Sequence, residues 1–179
     1  MSAERRFENP ATKESCLFRT IAGIGGHDVL EMEYTIGVGG ARVPEHAHPH
    51  ATQRIRVLKG LLGLKVRGEV RLLSEGMEAV LPPNTNHSQW NAGDVPVVTV
   101  EQMDPPMEFE AFFESYCGLG ANGRLRPDGN PVSFLQTVAW LFEFRETTSI
   151  APPARYGMLA VFGALYPVAR LLGYRGRGS

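Results

Sequence analysis

His46 and His48 stand two residues apart, and a strand sends side chains two apart to the same face, so both imidazoles point the same way. Gln53 arrives on the following strand after a turn, and a second turn at Pro82, Pro83 and Asn84 delivers His87 onto a neighbouring strand. Two imidazoles from one strand, a third from another and one amide oxygen make a ligand set for a single divalent ion (Zn, Ni, Mn or Fe) that leaves positions open. Gln53 can ligate through its carbonyl oxygen but brings no charge. The ion in such a neutral cage keeps more Lewis acidity toward substrate and bound water than it would beside a carboxylate. That suits polarising a carbonyl or an enolate without electron transfer. An amide is no base, so a proton-transferring group has to come from elsewhere in the chain.

Strands are needed to place these residues, and the sequence supplies them. Over 28–38, Leu30, Met32, Tyr34, Ile36 and Val38 alternate with Val29, Glu31, Glu33, Thr35 and Gly37. A period of two with acids on one side predicts a half-buried strand with Met32, Tyr34 and Ile36 inside. Further strands are expected at 53–58, 61–66, 70–73, 78–81, 88–91 and 95–103, with turn residues at Lys59-Gly60, Gly68, Gly76 and Gly93 between them. Many short strands with evenly spaced glycines indicate a sandwich or a barrel. The pattern changes at Asp104-Pro105-Pro106, where Asp104 can cap a helix and Pro105 suits its first position. That helix is expected over 108–116, ending near Gly118 and Gly120. Asn130-Pro131 reads as a second cap-plus-proline start, with Val132, Leu135, Val138, Ala139 and Phe142 as the apolar face. A third helix is expected over 155–173. The organisation read from this is a β-barrel with an N-terminal arm over 1–103 and a helical extension packed on it over 104–179.

Composition narrows the function classes. The 179 residues carry a formal charge of −1, with no basic block apart from a short Arg-bearing tail, which excludes the electrostatic footprint of a nucleic-acid binder. Cys16 and Cys117 cannot build a disulfide framework and read as buried thiols. The first twelve residues are polar and charged, without the apolar stretch of a signal peptide, so a cytoplasmic location is expected. The stretch 156–174 is the most apolar in the chain, but Pro167 and Arg170 break it short of the about 20 apolar residues that a membrane span needs. Two readings of it stand: a helix packed on the barrel or on a dimer partner, and a membrane-surface helix followed by Arg170, Arg175 and Arg177.

The histidine segments also carry a family resemblance. The first runs Gly40, five residues, His46-x-His48, four residues, Gln53, six residues, Gly60; the second runs Gly76, five residues, Pro82-x-Asn84, two residues, His87, three residues, Asn91. These resemble the two signature motifs of the cupin superfamily, over about 29–103, with Gln53 where the family has glutamate and Asn84 where it has the turn glycine. Asn tolerates the left-handed conformation better than most other residues. The resemblance implies a mainly β, double-stranded β-helix (jelly-roll) barrel, pairing of two copies through barrel edges, and His46, His48, Gln53 and His87 as metal ligands. A degenerate cupin that keeps its barrel without metal is the alternative. His27 and His50 fall outside the motif, with His50 expected in solvent or behind the ligands.

Segment 43–50 followed by Gln53 is similar to cupins that isomerise unsaturated uronates and to cupins that cyclise aromatic polyketides, both non-oxidative. The uronate-acting proteins have an acidic residue facing the metal just before a pair of prolines, and on that resemblance Glu101 takes the role of general acid/base. The alternation leaves a second choice: if Val98 and Val100 face inward, Gln102 faces the metal. Met32 and Tyr34 are expected to line the pocket, Tyr34 either donating a hydrogen bond to substrate or standing as a core tyrosine with a satisfied hydroxyl. Three functions remain: a non-oxidative isomerase, cyclase or lyase acting on a carbonyl-bearing small molecule, a metal-dependent dioxygenase, and a small-molecule-binding module without turnover.

Overall fold

The structure, a computed structural model, describes residues 4–22 and 28–177. His27 lies outside the described residues. The strands are β1 (Arg5–Asn9), β2 (Glu14–Ala22), β3 (Asp28–Ile36), β4 (Thr52–Lys59), β5 (Leu61–Val66), β6 (Glu69–Ser74), β7 (Glu78–Leu81), β8 (His87–Asn91) and β9 (Val97–Asp104). Three helices follow: α1 (Phe109–Ala121), α2 (Phe134–Glu143) and α3 (Ala154–Leu171). Two antiparallel sheets, ordered β1-β2-β3-β9-β4-β7 and β6-β5-β8, share one core as an open jelly-roll rather than a closed barrel.

Alternation fixes the register. Along β3, Leu30, Met32, Tyr34 and Ile36 are buried, and along β9 the buried set is Val97, Thr99, Glu101 and Met103. They meet Ile55 and Val57 of β4 and Leu62 and Leu64 of β5 from the other sheet. Each such aliphatic side chain contributes roughly 1.5–3 kcal/mol on burial, and a one-residue slip of β9 would turn its whole inward set to the other face. Val38 lies beyond the end of β3 and is exposed. The N-terminal arm is more ordered than its polar composition suggests, because β1 pairs with β2 from Arg5↔Phe18 to Asn9↔Glu14.

The helices lie close to their expected positions but start and stop differently. Asp104 does not cap a helix. It is the last residue of β9, and α1 begins at Phe109 after Glu108. Asn130-Pro131 belongs to the preceding loop, where Pro131 bridges Leu125, and α2 starts after Ser133, leaving Val132 exposed outside it. Nor do Gly118 and Gly120 end α1; the chain leaves at Asn122, with Gly123 in the left-handed region at φ +68°. Gly120 has a packing role instead. A Cβ there would come within 2.1 Å of Asn9 Oδ1, on a buried side chain whose Oδ1 accepts from the Ala11 N–H. The third helix packs on α2 through Ala169, Phe162, Leu165 and Tyr166 against Val138 and Ala139. Its basic neighbours are engaged within the protein, Arg170 with Glu143 and Arg177 with Glu108. No helix among the described residues is long and apolar enough to cross a membrane. Cys16 and Cys117, distant in sequence, are brought together as buried free thiols.

Gly120→Ala should therefore destabilise the protein by about 1–3 kcal/mol, the usual cost of forcing an extra group into a packed contact. Thermal or urea melts test this; an unchanged midpoint would mean that Asn9 moves aside freely.

Candidate metal centre

The three motif histidines converge. His46 and His87 form an antiparallel bridge, His46 N–H to His87 O at 2.9 Å and His87 N–H to His46 O at 2.8 Å, which sets their rings 4.2 Å apart. His48 follows two residues on from His46, its ring 4.9 Å from that of His46 and 5.1 Å from that of His87. One nitrogen from each lies within 4.8 Å of the others, so the three are able to hold one metal ion. The turn that brings His87 back uses Asn84 at φ +59°, its N–H bonded to His48 O at 2.8 Å. Asn thus takes the left-handed position that glycine fills more cheaply.

Each ring is oriented from behind by a backbone carbonyl. Nδ1 of His46 faces Pro44 O at 2.8 Å, that of His48 faces Thr147 O at 3.0 Å, and that of His87 faces Thr85 O at 2.9 Å. A carbonyl only accepts, so each Nδ1 carries the proton and each Nε2 keeps a free lone pair. His48 is held down to about 3, first by burial and then by repulsion from His46. Burial likewise lowers His46, and lowers His87 strongly with added repulsion from both neighbours. All three are therefore uncharged near neutrality, as metal ligands must be.

The fourth expected ligand sits in a buried polar network. Gln53 on β4 and Glu101 on β9 are diagonal neighbours on one sheet face, since Gln53 pairs with Met103 and Ile55 with Glu101. Gln53 Nε2 donates to Glu101 Oε2 at 2.6 Å, while Glu101 Oε1 accepts from Gln89 Nε2 at 2.9 Å and from Thr99 Oγ1 at 3.0 Å. Glu101 is fully buried, and burial raises its pKa against the lowering effect of these donors. The choice between Glu101 and Gln102 is thereby decided: Gln102 faces the other way and donates to Glu31 at 2.9 Å. With its amide nitrogen committed, Gln53 has a buried Oε1 without a hydrogen-bond partner, and so does Nε2 of His87. Leaving such an atom buried and unpaired costs about 1–3 kcal/mol, and a cation held between them removes that cost. The donor set fits a divalent metal.

Tyr34 lines the cavity above the histidines, but its hydroxyl donates to Glu14, a buried acid that also accepts from Thr12 Oγ1. Its hydroxyl is already satisfied within the protein. His50 is exposed and paired with Glu146 at 2.8 Å, away from the triad. Sequence reasoning missed Gln89, although its place two residues after His87 on a strand puts it on the same face. It also missed Glu14, Thr147 and Ser149, for which no local pattern exists. Ser149 and Ala47 exchange backbone hydrogen bonds of 2.7 and 2.9 Å, so the loop between α2 and α3 is strapped to the His46–His48 segment.

The fold and this site define a jelly-roll with His87 on β8 and His46 and His48 on the bridged segment ahead of β4. Residues 32–102 match the cupin domain family, and this segment of the chain is a cupin domain. No curated protein matches the chain. Among solved structures, it is similar to a double-stranded β-helix protein from Klebsiella pneumoniae subsp. pneumoniae (24% identity, TM-score 0.39), covering 42% of this chain and 65% of that one. It is also similar to an RmlC-like cupin from Shewanella frigidimarina (17% identity, TM-score 0.44), covering 54% of this chain and 80% of that one. A sugar phosphate isomerase of the cupin superfamily from Silicibacter pomeroyi aligns at 18% identity and TM-score 0.46, over 56% of this chain and 71% of that one. This chain thus spans just under two thirds of the length of the Klebsiella protein.

Two measurements probe the centre. Ser149→Pro removes the N–H that holds Ala47 O, and loss of such support behind metal ligands costs about 10–100-fold in affinity. Competition for zinc against a chelating dye should show that loss, and an unchanged affinity would refute the strap's role. The second concerns pH. Free imidazoles titrate at about 6.5, so below that value the unfolded chain takes up a proton that folded His48 refuses until about pH 3. Stability contributed by His48 therefore falls as pH falls, whereas Glu14 and Glu101, raised by burial, act in the opposite sense. In metal-free protein, lowering the pH from about 7 to about 5 should reduce Tm less for His48→Gln than for the unaltered chain. Equal losses would contradict the low value for His48.

Proposed function

We propose that this chain is a metal-dependent enzyme that carries out a non-oxidative isomerisation, cyclisation or lyase reaction on a carbonyl-bearing small molecule. His46, His48, His87 and Gln53 hold one divalent ion, and Glu101 is the general acid/base. The observation that carries this reading is the 2.6 Å contact between Gln53 Nε2 and Glu101 Oε2 in the wall of the cavity. It ties the amide whose free oxygen would meet the ion to a carboxyl group with a raised pKa. When bound, the ion would supply Lewis acidity at a carbonyl oxygen, making a neighbouring C–H more acidic.

The protein's own residues then handle the proton. A carboxylate offers about four acceptor positions, and Gln53, Gln89 and Thr99 occupy three of them, leaving one to reach substrate. Burial raises the Glu101 pKa, the direction that favours a carboxyl able to hold a proton as well as to accept one. Gln53 holds no negative charge against the ion, which favours this reading over oxygen activation. Pairing of two copies and residence in the cytoplasm remain part of the proposal.

Metal analysis of protein purified without added metal, alongside an oxygen electrode, tests the class. Zinc, nickel or manganese without oxygen uptake is the expected result, whereas iron with substrate-dependent oxygen consumption would replace this reading by a dioxygenase. Turnover can be sought as deuterium wash-in from heavy water at carbons next to a carbonyl. Glu101→Gln should keep the metal and slow that exchange about a hundred- to ten-thousand-fold, the usual worth of a positioned acid/base. If exchange persists at full rate, Glu101 only positions Gln53.

A further inference from the structure

The cavity over the histidines is built by two parts of the chain with different chemistry. Its floor is polar: His46, His48, Gln53, Gln89 and Glu101. Its roof comes from the helices, with Phe109, Phe112 and Tyr116 of α1, Trp140 and Leu141 of α2, and Met158 of α3. Phe112 stacks on Trp140 at 4.6 Å and 15°, and Tyr116 on the same indole at 5.6 Å and 14°, so three rings form one nearly parallel slab. The cavity measures about 150 Å³ and opens at its mouth, room for a compound of about one or two fused rings.

Charge is distributed just as unevenly. Among the described residues, no lysine or arginine lines this cavity. Its acids are Glu101 on the floor, Glu14 satisfied by Tyr34 and Thr12, and Glu45, which Lys65 neutralises at 2.8 Å. An anionic group on the part of a ligand remote from the histidines would lose its hydration and meet no cation, a cost of several kcal/mol. Trp140 adds a donor, since its indole N–H is buried without a partner.

We infer that the cavity takes a flat, uncharged and largely apolar compound, with one carbonyl or enol oxygen reaching the histidine floor and its ring system lying against the Phe112–Trp140–Tyr116 slab. Only the placement of that oxygen rests on the metal reading above. The inference selects within that reading. A uronate, whose polar hydroxyls and carboxylate need partners along their whole length, is disfavoured against an aromatic or polyunsaturated ketone.

The test uses the full chain loaded with zinc and two probes of one shape. Naphthol carries a single hydroxyl, and hydroxynaphthalenesulfonate keeps that hydroxyl and adds a fixed negative charge on the remote ring. Calorimetry and tryptophan fluorescence should show naphthol binding at least about tenfold more tightly, the ratio that corresponds to ~1.4 kcal/mol. Met158→Lys places a cation on the roof and should shift that ratio toward the sulfonate, with circular dichroism confirming the fold. The inference is overturned if the sulfonate binds as well as naphthol, if galacturonate displaces naphthol at equal concentration, if folded zinc-loaded protein binds no naphthol, or if Met158→Lys leaves the ratio unchanged. Zinc content of the same samples separates the two proposals. Naphthol bound by protein that retains no zinc removes the metal reading and leaves this one, while zinc retained without naphthol does the reverse.

Discussion

A carboxyl group with no exposure to water lies between the two sheets, and much of the site follows from what its burial requires. An unpaired buried acid is intolerable, so Glu101 must be met by donors from every side. Thr99 reaches it from its own strand, Gln53 from β4, and Gln89 from β8 in the opposite sheet. The network therefore ties the six-stranded sheet to the three-stranded one, since of the donors only Gln89, on β8, comes from the smaller sheet. The same bonds commit the Gln53 amide nitrogen to Glu101 and leave its buried Oε1 unpaired. Structural satisfaction and site geometry are here one requirement.

The histidines obey a parallel constraint. Three imidazoles crowded at ring distances of 4.2 to 5.1 Å cannot all be charged, and burial keeps them neutral. Carbonyls on the far side fix each tautomer, and two of these, on Pro44 and Thr85, are two residues away in the chain. The third, on Thr147, comes from the segment between α2 and α3. The helical part is thus joined to the histidine cluster as well as roofing the cavity, and Phe109 packs edge-on against His48 at 4.8 Å.

Much of the site was legible because strands repeat every two residues. Parity alone places His46 beside His48, sends Met32, Tyr34 and Ile36 inward, and would also have found Gln89. It left Glu101 and Gln102 undecided, since a run of valines offers no polar face to choose between. Helix ends were read less well. Asp104 and Asn130 resemble caps, but caps are local preferences worth about 1 kcal/mol and yield to strand pairing and loop bridges. Gly118 and Gly120 look like helix stops for the same reason, and the contact of Gly120 with Asn9 spans more than a hundred residues of chain.

The sequence by itself determined the alternating strands, the jelly-roll family and the four residues in motif positions, because period and spacing are properties of neighbours along the chain. The tertiary structure alone decided that Glu101 rather than Gln102 faces the site, that Glu14 takes the Tyr34 hydroxyl, and that Thr147 orients His48. It alone shows a cavity roofed by a slab of aromatic rings. Those outcomes depend on which distant strands and helices meet, and burial and hydrogen-bond satisfaction are settled only when they do.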